Sequence, residues 1–94
     1  MISTRRHLEY ASDYLALGML ADAARELAAI SAAELATPGV MSVRVDYLMQ
    51  AGQWELLADS ARAYAGLSPE ADKGWIYWAY ALRELAFDKA GVRG

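Results

Sequence analysis

His7 is the only histidine among the 94 residues, and Ser3, Ser12 and Asp13 are the residues that could serve beside it in nucleophilic catalysis. Such a site needs a base held by a buried carboxylate and donors aimed at a developing oxyanion. Nothing in the pattern around these residues marks either, so His7 reads as a boundary residue of a first helix. One histidine and scattered carboxylates give no zinc-like spacing, and no acidic loop resembles a calcium site. The glycines are isolated, so no loop cradles a phosphate. The absence of cysteine removes thiolate catalysis, disulfides and cysteine-ligated metals together. The sequence therefore predicts a protein that is not an enzyme and needs no cofactor or metal.

Composition points the same way. At 56% hydrophobic and 22% charged, the chain is expected to be globular rather than disordered. It suits one small domain over residues 1–94, which buries only about 60–65% of its unfolded surface. The formal charge of −3 is spread over interspersed signs with no basic stripe, which predicts no nucleic-acid partner. Charges interrupt every long stretch, so no membrane span is expected. The opening Met1-Ile2-Ser3-Thr4-Arg5-Arg6 lacks the apolar core of a signal peptide, and a cytoplasmic setting is the expectation.

Apolar residues follow helical spacing nearly throughout, and the breakers Gly18, Pro38-Gly39, Gly52, Gly66, Pro69, Gly74 and the tail from Gly91 to Gly94 divide the chain into five helices. The first spans about Thr4 to Ala16, with Tyr10, Ala11, Tyr14 and Leu17 as its stripe. The second spans about Met19 to Ile30, with Leu20, Ala23, Leu27 and Ile30 on one face. Ser31-Ala32-Ala33-Glu34 has the form of a capping box and predicts an extra turn. Thr37-Pro38 opens the third helix as cap and first residue, and Met41, Val45 and Leu48 point inward from a segment ending at Ala51. The fourth, about Gln53 to Ala65, carries Trp54, Leu57, Ala61 and Tyr64. Ser68-Pro69-Glu70 repeats the cap-then-proline signal, and the fifth helix starts near Ala71 and runs toward Ala90. Short connections make neighbours antiparallel.

Gly18 and Gly52 share one position in a 34-residue offset. In that register His7, Met41 and Trp75 share a column, as do Ala11, Val45 and Ala79, and Tyr14, Leu48 and Leu82. In the second helices Leu20 aligns with Trp54, Ala23 with Leu57 and Leu27 with Ala61, while Pro69 answers Leu35. A period of about 34 residues built from helical hairpins resembles the tetratricopeptide repeat family. The resemblance covers residues 4–86 and implies a right-handed, all-α stack of antiparallel hairpins. Repeat one is 4–37, repeat two is 38–71, and 72–90 is the first helix of an incomplete third. Two positions depart from the pattern. Arg44 stands in an apolar column and must snorkel or find an acidic partner. Ala86 stands where a third turn glycine belongs, so the fifth helix is expected to continue through Phe87.

The resemblance implies a protein-binding scaffold whose groove is built by helices one, three and five. Its ligand-facing columns hold Arg5, Leu8, Ser12 and Leu15, then Ser42, Asp46, Met49 and Gln50, then Lys73, Ile76, Tyr80, Arg83 and Glu84. Leu8, Ser12, Ser42 and Asp46 stand where relatives that grip an acidic tail carry a lysine and asparagine clamp. The expected ligand is therefore an apolar helix or extended segment, anchored on Met49, Ile76 and Tyr80. The run Trp75-Ile76-Tyr77-Trp78-Ala79-Tyr80 is too long to face one core, because successive residues point about 100° apart. Trp75, Trp78, Ala79 and Leu82 form one face of it. Two readings stand: these rings seal the stack against helix four and the tail, or they form an interface for a homodimer or a partner helix. Along the second helices, Asp22–Arg25 and Asp59–Arg62 are expected to pair and offset the like charges at Asp22–Glu26 and Glu55–Asp59.

Overall fold

The computed structural model describes residues 2–91. Five α-helices follow one another: α1 Thr4–Ala16, α2 Leu20–Ala28, α3 Pro38–Ala51, α4 Trp54–Leu67 and α5 Asp72–Ala90, with a 3₁₀ turn at Ala32–Glu34 before α3. No strand occurs among the described residues. The expected all-α class and five helices are present, with ends within about two residues of those read from the sequence.

Two turns decide the path of the chain. At Gly18, φ is +74°, and at Gly52 it is +66°, a region that a residue without Cβ enters at little cost. Met19 N–H donates to Tyr14 C=O and Gly18 N–H to Leu15 C=O; Gln53 N–H donates to Leu48 C=O and Gly52 N–H to Met49 C=O. Both pairs are Schellman closures, which satisfy the carbonyls left over at a helix end. The next residues also match, Met19 at φ −91°, ψ 75° and Gln53 at φ −90°, ψ 78°. Residues with unlike side chains thus adopt one conformation twice, at the sequence offset of the glycines.

The helix starts follow the expected capping signals only in part. Ser3 accepts from Arg6 N–H and caps α1. The turn at Ala32–Glu34 exists, but Ser31 makes no side-chain cap. Thr37 donates its hydroxyl to Glu34 C=O instead of capping α3, whose first residue Pro38 has no N–H to satisfy. Ser68-Pro69 does not open α5 either. Ser68 is buried in the connection, where its C=O accepts from Ala71 N–H, and the cap position falls to Ala71.

Met41, Val45 and Leu48 of α3 are buried with Leu57, Ala58, Ala61 and Tyr64 of α4 and Ala81 of α5. The stripe expected on α1 is corrected: Ala11 and Leu15 are buried, while Tyr10 is exposed and Leu17, in the turn, is 72% exposed. The α5 stripe is corrected too. Its buried side carries Gly74, Ala81 and Glu84, with Tyr77, Trp78 and Leu85 packed on the core. Trp75 and Leu82 are 46% and 50% exposed, and Ala79 is exposed.

The cause is a close crossing of α5 over α4. A Cβ on Gly74 would lie 2.9 Å from Ala65 N and 3.0 Å from its Cα. Glycine at 74 lets the backbones meet, and that contact rotates α5 away from the expected register. The tail after Gly91, which the sequence offers as part of the cover of α5, lies outside the described residues.

Gly74→Ala is expected to destabilise by about 1–3 kcal/mol, because backbone atoms of Ala65 cannot move aside as a side chain could. Gly66→Ala, where nothing lies within 4 Å, is expected to stabilise by up to about 1 kcal/mol through helix propensity. Thermal unfolding followed by circular dichroism checks both. Shifts of the same sign would contradict the close crossing.

Candidate functional site

Polar links join α1 to α3 and α3 to α5. Gln50 Nε2 on α3 donates to Leu15 C=O on α1 at 3.1 Å. Lys73 Nζ on α5 donates to Ser42 Oγ at 2.6 Å and Ser42 C=O at 3.2 Å, and reaches both Asp46 carboxylate oxygens at 3.2 Å. The same ammonium sits 5.9 Å from the centre of the Tyr64 ring. Tyr77 completes the cluster. Burial, then the Asp46 charge, then a hydrogen bond to Asp46 push its phenol above the ordinary tyrosine range.

These contacts change the roles of the residues expected to meet a ligand. Asp46, Gln50 and Lys73 hold helices together, and Met49 is half-buried against the core. Leu15 and Glu84 are buried, with Glu84 Oε2 4.0 Å from Arg83 Nε. Ser12 is exposed and lines an open groove of about 700 Å³ with Arg5, Leu8, Gly39 and Val40. On α5, Ile76 is 59% exposed, and the Tyr80 ring meets the Trp54 ring at a tilt with centres 5.6 Å apart. Arg83 lies over the Tyr80 and Phe87 rings at 5.2 and 5.7 Å. Apolar and aromatic surface, more than charge, is therefore what this side of α5 offers.

No family model, curated protein or solved structure matches the chain.

His7 is paired where the sequence did not place it. Its Nδ1 lies 3.0 Å from Glu26 Oε1 across the α1–α2 hairpin, and because a carboxylate only accepts, Nδ1 carries the shared proton. Ser3 Oγ is engaged in its cap, and no hydroxyl is bonded to His7. The Ser42–Lys73 contact resembles a serine–lysine dyad in distance alone, since an ion-paired ammonium has no lone pair with which to accept a proton. Among the described residues no three His, Cys, Asp or Glu side chains gather as a metal set. No helix among them is long and apolar enough to cross a membrane.

Other expectations resolve singly. Arg44 is exposed and borders an apolar hollow with Leu27, Ile30, Tyr47 and Leu56. Asp22 and Arg25 pair as expected. Arg62 lies 6.0 Å over the Trp78 ring instead of pairing with Asp59. Trp75 and Trp78 meet at 6.0 Å, and the Trp75 indole N–H donates to Pro69 C=O at 3.0 Å.

Tyr77 is expected to ionise above the ordinary tyrosine range in a spectrophotometric titration, with Asp46→Asn lowering and Tyr77→Phe removing that step. A raised folded value means that the folded state holds its proton longer. The stabilisation is then present below about pH 10 and lost as pH rises through the folded value. Wild type should accordingly lose stability more steeply than Tyr77→Phe above that point.

Proposed function

We propose that the chain is a non-enzymatic interaction scaffold of tetratricopeptide-like build: two hairpins and a terminal helix in a right-handed stack. Its groove, formed by α1, α3 and α5, docks an apolar helix or extended segment of a partner protein. The repeated Schellman turn and the two polar links between same-direction helices support the stack. The observation that carries the binding site is the exposed Ile76–Tyr80 surface, next to polar neighbours already spent on holding helices. Recognition then falls to hydrophobic contact, with Arg83 and Ser12 at the rim. Neither nucleic acid nor membrane belongs to this reading, and a cytoplasmic setting goes with it.

Self-association through α5 is a second reading, favoured by one observation. Trp75 and Leu82 hold on α5 the places that Met41 and Leu48 hold on α3, yet the α3 pair is buried and the α5 pair is half-exposed. Trp78, half-buried beside them, flanks this surface.

Capture from native lysate separates the two surfaces. Tyr80→Ala and Ile76→Asp should reduce partner recovery at least about thirtyfold, the scale of an interface hot spot. Leu82→Glu, on the other side of α5, should leave recovery unchanged. Equal recovery by wild type and the two groove variants would contradict the groove.

A further inference from the structure

Along α5, Asp72, Trp75, Ala79, Leu82, Ala86 and Lys89 are spaced three, four, three, four and three apart, and all six are exposed. That is the three-four spacing of a coiled-coil seam, about 26 Å long at 1.5 Å per residue, with Trp75, Ala79, Leu82 and Ala86 flanked by one charge at each end. On α3 the matching stripe Met41, Val45 and Leu48 is buried against α4; α5 has no following helix among the described residues.

We propose that the cover is the α5 of a second copy, laid antiparallel about a two-fold axis between Tyr80 and Ala81. This rests on the self-association reading of α5 and specifies its partner and register. In that register Trp75 of each copy packs on Ala86 of the other, and Ala79 packs on Leu82. Every layer sets a large side chain against a small one, which is how facing helices interdigitate. At both ends Asp72 of one copy meets Lys89 of the other.

Charge and size decide the direction. A parallel pair would set Asp72 on Asp72 and Lys89 on Lys89, stack the tryptophans on each other and leave both alanine layers hollow. The one polar atom of Trp75 is already bonded to Pro69 C=O, so covering the ring strands no donor. A single helix pair lies at the small end of stable interfaces, so the association is reversible and concentration-dependent.

The chain has no cysteine, so introduced ones report position without background. In the antiparallel register positions 72 and 89 of different copies meet. Within one chain the same two are about 26 Å apart, and each is equally far from its own twin, well beyond disulfide reach. Sedimentation of wild type should show 10.3 kDa chains pairing as concentration rises, with Leu82→Glu weakening the pairing at least about thirtyfold. Mild oxidation of Asp72→Cys/Lys89→Cys should trap a covalent dimer, while each single variant should not. Cross-linking by either single variant, or none by the double variant of a chain that does dimerise, overturns the register and leaves self-association standing. A strict monomer at every concentration overturns both.

Discussion

A helix that carries apolar residues on two sides needs a neighbour against each, because a chain of this size has little buried surface to spare. In this chain α3 meets that condition on both sides. Met41, Val45 and Leu48 lie against α4, and Gln50 ties α3 back to α1. The helix α5 meets it on one side only, against α4 through Gly74 and Ala81. The exposure of Trp75, Ala79 and Leu82 follows from that asymmetry, as does the value of any partner that covers them.

The polar residues between α1 and α3 and between α3 and α5 hold these helices together. Lys73 reaches a hydroxyl, a carbonyl and a carboxylate on α3, and its neighbour Tyr77 bonds the same carboxylate. A cluster of this kind fixes the register of α5 against α3 more than it adds stability, since a half-exposed ion pair contributes about 1 kcal/mol or less. With those groups engaged, the exposed part of that side of α5 is left to Ile76, Tyr80, Arg83 and Phe87. It is distinct from the face of Trp75, Ala79 and Leu82, so the proposed docking and the proposed self-pairing can coexist on one helix.

Much of the fold was legible because its determinants are local. Gly18 and Gly52 mark left-handed closures that few other residues tolerate, and the 34-residue offset carried over to matching dihedrals at Met19 and Gln53. Burial of Met41, Val45, Leu48, Leu57 and Ala61 followed from helical periodicity. The orientation of α5 was not legible, because it depends on the Gly74–Ala65 crossing, a contact between two helices that periodicity within one helix does not encode. The site was read by column rather than by contact. Asp46, Gln50 and Lys73 were read as facing a ligand, and their bonds to neighbouring helices were invisible until the helices stood side by side. The His7–Glu26 pair escaped for the same reason.

In the proposed pairing, the exposed face of α5 is filled by a second α5. The three indole N–H signals, one for each tryptophan, report it directly when a soluble paramagnetic agent is added over a range of protein concentrations. Pairing through this face should leave Trp75 broadened most in dilute solution and recovering as concentration rises, while Trp54, away from that face, changes little. Protection of Trp75 at the lowest concentration, or equal broadening at every concentration, would contradict it.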